Sequence, residues 1–224
     1  MDPRLAHVES WIFDLDNSLY PHSCNLFALI DERMGAYIQR LLGVDSAEAR
    51  RVQKGYFHAH GTTLAGLMRG HGVDPHDFLD FVHDIDLARL TADPALVEVL
   101  DRLPGRKFVF TNADEAYARR VLDRLGLANA FDGMHDIHAM AYLPKPFPGA
   151  YEALCERHGI DPGRALFADD MVRNLAPAKA LGMTTLWLDN GSEQGEPPPE
   201  PEFVDHRTDD VAVWLGQVLA REMA

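Results

Sequence analysis

Apolar and polar positions follow two different rhythms along this chain. Compact apolar runs that end abruptly in polar turn residues occur at 11–13, 107–110, 165–168 and 184–188, and each reads as a buried strand. Between 21 and 91 the rhythm is helical. Leu26, Leu29, Ile30, Met34, Tyr37, Ile38, Leu41 and Leu42 recur at helical spacing over 24–42, with Gly43 placed to stop that helix. Asp45 with Glu48 three residues on has the form of a capping box and opens a second helix to His60. After Gly61, residues 62–70 read as a short helix. Asp74-Pro75 then supplies an N-cap and a proline at the first helical position for a helix to His83.

From Asp93-Pro94 onward helices and strands alternate. A helix to Leu103 precedes the strand at 107–110, and a helix over 115–125 leads to an apolar-edged segment, 131–138. Helices over 148–158 and 174–181 flank the strand at 165–168. Residues 190–202, rich in Gly, Pro and Glu, read as an exposed loop, and Thr208 is placed to cap a last helix over 209–223. Strands separated by helices of this length imply right-handed crossovers and a parallel sheet covered on both faces. The predicted fold is α/β: a doubly wound, Rossmann-like parallel-sheet core, with an all-helical cap inserted after the first strand. The core takes residues 1–20 and 92–224, and the cap takes 21–91.

Composition narrows the partners. Apolar content of 46% and charged content of 25% are those of a soluble globular protein. A formal charge of −14 disfavours a nucleic acid polymer or an anionic membrane as partner, yet leaves room for a small phosphorylated metabolite met by a metal and local cations. Two cysteines, Cys24 and Cys155, are too few for a disulfide framework and fit a reducing cytoplasm. The first ten residues lack an apolar signal region, and no run approaches about 18 consecutive apolar residues. The expectation is a cytoplasmic monomer or homodimer.

Candidate chemistry collects where predicted strands end, which is where open parallel sheets bind ligands. Asp14 and Asp16 follow the first strand, two apart, a spacing that in extended backbone points both carboxylates the same way. Such a pair needs a cation or a shared proton. Thr111-Asn112 closes the second strand, Asp169-Asp170 closes the strand at 165–168, and Lys145 lies in Pro144-Lys145-Pro146 before a helix. Alone, each has a bland reading: a turn, a surface lysine, an acidic helix start. Together, in one order, they form an inventory for phosphoryl transfer. Asp14 is the candidate nucleophile, passing through an aspartyl-phosphate, and Asp16 the candidate acid and base. Thr111, Asn112 and Lys145 are candidates to bind phosphate. Asp14, Asp170 and the backbone carbonyl of Asp16 are candidate Mg²⁺ ligands, supported by Asp169 and Asn174.

The stretches Asp14-Leu15-Asp16-Asn17-Ser18, Thr111-Asn112, Lys145-Pro146 and Phe167-Ala168-Asp169-Asp170 resemble the four ordered motifs of the haloacid dehalogenase-like hydrolases. Residues 13–21, 61–67, 169–175 and 178–183 narrow the resemblance to the pyrimidine 5′-nucleotidase-like branch. Two positions depart from the pattern: Ser18 stands where threonine is common, and Met171 where this branch often has serine. The family's dehalogenases lack the second acid, so the presence of Asp16 disfavours halide displacement.

The resemblance implies a Mg²⁺-dependent phosphatase, with nucleoside 5′-monophosphates such as UMP and CMP the first expectation. Phosphoglycolate or sugar-phosphate phosphatase, or phosphomutase, is the alternative, and a phosphate-binding regulatory protein without turnover belongs to another class. A cap hinged near 20–22 and 90–93 sets the leaving group, with Arg51, Lys54, His58, Thr62 and Thr63 as candidate contacts. His83 and Asp84 lie near the return hinge. A zinc reading of His58 and His60 fails because positions two apart on a helix diverge by about 200°.

Overall fold

The computed structural model describes residues 2–192 and 201–220. Its centre is β1 (Ser10–Phe13), whose Trp11, Ile12 and Phe13 have no exposed surface. A fully buried strand of this kind must be covered on both faces and flanked on both edges. It pairs in parallel with β2 (Arg106–Phe110) on one side and β4 (Ala165–Asp169) on the other. With β3 (Gly133–His135), β5 (Thr184–Leu188) and β6 (His206–Thr208), the sheet is parallel throughout and runs β3-β2-β1-β4-β5-β6. The order reverses between β1 and β4. A doubly wound sheet opens a crevice at that point, beyond the carboxyl ends of its strands.

Four helices fall between β1 and β2 before the core resumes: α1 (Leu26–Leu42), α2 (Ser46–His60), α3 (Thr63–His71) and α4 (Pro75–His83). Local capping explains their bounds. The side chains of Asp45, Thr62 and Asp74 accept from the backbone N–H of Glu48, Ala65 and His76, respectively. The helices pack on one another through aromatic edges, Tyr37 lying 5.0 Å from Phe78 and 5.6 Å from Phe81. At Gly66 the approach is so close that a Cβ would sit 2.2 Å from Cγ of Tyr56, so only glycine fits there.

The core helices are α5 (Pro94–Arg102), α6 (Glu115–Leu125), α7 (Pro148–His158), α8 (Val172–Ala180) and α9 (Val211–Ala220). Several bounds differ from the sequence reading. The first helix starts at Leu26 rather than 24, because a short 3₁₀ turn at His22–Cys24 and a left-handed Asn25 precede it. Helix α8 starts two residues before the predicted 174. Of 131–138 only three residues pair as a strand. Thr208 belongs to β6, a strand the sequence reading missed, and Asp210 caps α9 by accepting from Val213 N–H at 3.0 Å. Residues 193–200 of the expected loop and 221–223 of the expected last helix lie outside the described residues. Cys24 and Cys155 are free thiols. Among the described residues, no helix is long and apolar enough to cross a membrane.

Candidate active site

All the strands point one way, so their carboxyl ends share one edge, and the polar residues beyond them meet there. Asp14 extends β1 by one rung, its N–H donating to Ala168 O at 2.9 Å. Lys145 arrives from the loop after β3 and is buried at 1% exposure. Its ammonium lies 2.6 Å from Asp14 Oδ1 and 2.7 Å from Asp169 Oδ2. The rings of Phe110 and Phe167 flank the ammonium at 5.1 and 5.3 Å, adding a cation–π contribution. Burial opposes the charge on Lys145, but Asp14 and Asp169 outweigh it and hold the pKa above the ordinary lysine value.

The carboxylates outnumber that single ammonium. Asp14, Asp169 and Asp170 are all buried, and each brings an oxygen within 4.8 Å of the others. Burial pushes Asp14 up to about 7, with Asp169 and Asp16 adding to the rise against Lys145. Burial, with Asp14 and Asp169 beside it, likewise holds Asp170 well above the usual carboxylate range. An all-oxygen donor set with uncompensated negative charge is what a hard divalent cation neutralises. Asp169 is fixed in place by Met171 N–H at 2.8 Å and by the Asn174 amide, at 3.0 Å from both of its oxygens.

Asp16 faces a different environment. Its Oδ1 accepts from two tyrosine hydroxyls, Tyr20 at 2.6 Å and Tyr117 at 2.8 Å. Burial, and then the charge of Asp16, raises both phenols well above their ordinary pKa, so both remain donors. Thr111 Oγ1 accepts from Ala113 N–H at 3.0 Å, which leaves its own proton free to point at an oxygen in the cavity. Asn112, expected to bind phosphate, is committed elsewhere. It donates to Lys145 O at 3.1 Å and accepts from Lys145 N–H at 2.8 Å, which clamps the lysine loop.

These groups floor a cavity of about 320 Å³ whose other walls come from α1, α2, α3 and α4. Lys54, His58, Thr62 and Thr63 line it as expected from the sequence. Arg51 does not. It is turned to solvent and bonded to Glu48 one helical turn away, because its position on α2 faces outward. Apolar Phe27, Ile30, Met34, Phe78, Leu79 and Val82 form much of the upper wall. Set among them, Asp31 Oδ1 accepts from Gln53 Nε2 at 2.8 Å and Lys54 Nζ at 3.1 Å. Opposite, Arg173 lies over the Phe57 ring at 4.2 Å, joining α8 to α2 across the cavity. Sequence reasoning did not single out Asp31, Gln53, Tyr117 or Arg173. Tyr117 in particular reads as one more apolar position of α6.

A profile of the haloacid dehalogenase-like hydrolases matches residues 11–182, which include every one of the groups just described. The chain belongs to this hydrolase family. It is 29% identical over 200 residues to Phosphate metabolism protein 8 of Saccharomyces cerevisiae, covering 81% of this chain and 61% of the yeast protein. The chain therefore spans under two thirds of that relative's length. It is 27% identical over 193 residues to a phosphoglycolate phosphatase of Rhodospirillum rubrum, covering 80% of this chain and 79% of the relative. Among solved structures, a haloacid dehalogenase-type phosphatase from Thermococcus onnurineus superposes with a TM-score of 0.65. That match covers 95% of this chain and 98% of the other at 19% identity, and so speaks for the hydrolase fold alone.

Proposed function

We propose that this hydrolase is a Mg²⁺-dependent phosphomonoesterase that works through a phosphorylated Asp14. The observation that carries the reading is the Asp14–Lys145–Asp169 arrangement, with Asp170 beside it and Asp16 on the same cavity floor. A pure phosphate binder has no use for a buried carboxylate aimed at its own ligand. Bound at Asp14, Asp170 and the Asp16 carbonyl, Mg²⁺ supplies positive charge to the phosphate oxygens and relieves the crowding of acids.

Asp14 attacks phosphorus in line. Its Oδ–P bond forms while the bond from phosphorus to the leaving oxygen breaks, and Asp16 gives that oxygen its proton. Asp16 then takes a proton from water, which attacks the acyl phosphate and regenerates Asp14. Lys145 and the Thr111 hydroxyl hold the phosphoryl oxygens throughout, and Asn112 holds Lys145. Asp169 and Asn174 keep the lysine and the acids in register.

The substrate class that best fits is a nucleoside 5′-monophosphate, UMP and CMP before the purines. A flat base suits the apolar upper wall, and Asp31, Gln53 and Lys54 offer both acceptors and donors for its edge. Phosphoglycolate is the second reading, favoured by the names of two relatives; sugar phosphates follow. The test is phosphate release from p-nitrophenyl phosphate with and without Mg²⁺, followed by a panel of UMP, CMP, phosphoglycolate and a hexose phosphate. Metal-dependent release with the highest kcat/KM on the nucleotides is expected. No release from any ester would overturn the phosphatase reading, and a preference for phosphoglycolate would overturn the nucleotide reading alone.

A further inference from the structure

The helical insert is joined to the core by two crossings, one outgoing and one returning, and both converge on one oxygen. Tyr20 stands at the outgoing crossing and donates to Asp16 Oδ1 directly. His83, the last residue of α4, stands at the return. It does not touch Asp16, but its ring is stacked on that of Tyr117, with centroids 4.3 Å apart and planes inclined by 16°. Tyr117 in turn donates to the same Asp16 Oδ1 at 2.8 Å.

Asp114 locks the stack from behind. Its Oδ1 accepts from Tyr117 N–H at 2.8 Å as the N-cap of α6, while its Oδ2 bonds His83 Nδ1. Burial opposes the charge on Asp114, but His83 and the Tyr117 N–H outweigh it and keep the carboxyl below its ordinary pKa. Arg120, one turn along α6, donates to His83 O at 3.1 Å and Ile85 O at 2.9 Å, pinning the return segment to the same helix. A phenol held in this way cannot shift unless the return segment shifts with it.

We infer that Tyr117 is a positioning residue that fixes the orientation of Asp16, and that His83 makes this orientation depend on how the insert's return segment is seated. With Oδ1 held by two hydroxyls, Oδ2 is the oxygen that passes its proton to the leaving alkoxide as the ester P–O bond breaks. The inference rests on the acid role of Asp16 proposed above. It adds that closure of the insert and readiness of the acid are one event, because a displaced His83 lets Tyr117, and with it Asp16, turn away.

The test compares two phosphate esters. Nitrophenolate leaves without a proton, whereas the alkoxide of glycerol phosphate needs one, so misplacing the acid slows formation of the phosphoenzyme only from the second, while the hydrolysis step that follows is common to both. Tyr117→Phe removes a hydroxyl and keeps the ring. It is expected to lower the single-turnover rate of phosphoenzyme formation, read by acid quench, about tenfold from glycerol phosphate and less than about twofold from p-nitrophenyl phosphate, with the thermal midpoint unchanged. His83→Leu, which keeps an apolar contact but frees Asp114, is expected to show the same selective loss at smaller size. It serves as the independent variant should Tyr117→Phe fold poorly. Equal losses of that phosphorylation rate from both esters, or none, would overturn the positioning role. Asp16→Asn is the reference: a selective loss there without one in Tyr117→Phe or His83→Leu refutes only this inference. Absence of a selective loss in Asp16→Asn refutes the acid assignment and this inference with it.

Discussion

Lys145 Nζ reaches Asp14 Oδ1 at 2.6 Å although 131 positions of chain separate the two residues. The same ammonium holds Asp169, so a single side chain balances two buried acids from two adjacent strands. Removing one member of a buried ionic group costs about 3–5 kcal/mol, because the remaining charges stay desolvated. Lys145→Ala is therefore expected to lose about that much unfolding free energy, seen as a lower urea midpoint, and to lose turnover as well. A variant with unchanged urea midpoint would show that the pair contributes nothing to the fold.

Asp14→Asn removes the nucleophile but keeps the shape of the side chain and a polar partner for Lys145. Turnover should disappear while the thermal midpoint stays within a few degrees of the parent. Intact-mass measurement after acid quench should find a phosphoryl adduct on the parent during turnover and none on the variant. An adduct on Asp14→Asn would move the nucleophile elsewhere.

The three clustered acids give metal binding a readout independent of catalysis. Added Mg²⁺ is expected to raise the thermal midpoint, since a ligand at 100 times its Kd stabilises by about 2.7 kcal/mol. Asp170→Asn takes one of the three carboxylates from the group and should shrink that rise. An equal rise in parent and variant would place the ion at another site.

His135 contributes a pH dependence outside the active site. It is fully buried against Phe110 and His158. Burial lowers its pKa to about 4, and His158 and Arg157 add to the fall. The folded state therefore prefers the neutral ring, while the unfolded chain protonates near 6.5. Stability from this residue is complete above about 6.5 and is lost as pH falls towards about 4. Thermal midpoints between those pH values should fall less steeply in His135→Leu than in the parent. Parallel curves would exclude the residue as a source of acid lability.

Two basic residues three positions apart on α2 separate cavity from surface. Lys54→Ala should raise KM for UMP by about tenfold, the loss of one charge-assisted hydrogen bond, with p-nitrophenyl phosphate little affected. Arg51→Ala should leave KM for both esters and the thermal midpoint unchanged, as expected of an exposed pair with Glu48. An effect at Arg51 as large as at Lys54 would contradict the placement of the cavity wall.

The chain by itself determined the helix starts that carry their own caps, its main strands and the order of its polar strand ends. These depend on neighbours a few residues apart. Asp45, Asp74 and Asp93 cap their own helices, and an apolar run ending in Asp14 or Asp169 declares a strand and its exit without help from elsewhere. Tertiary structure decided the rest. The edge strand β6 is three residues long, too short to display a period, and it exists because Leu186 to Leu188 offer it a free edge. Which face of α2 lines the cavity, that Asn112 serves Lys145, and that Tyr117 reaches Asp16 across 101 positions all follow from how distant segments cross. Local sequence sets backbone preference over one or two turns. Contacts between segments a hundred residues apart are fixed only when the whole sheet and its insert have packed.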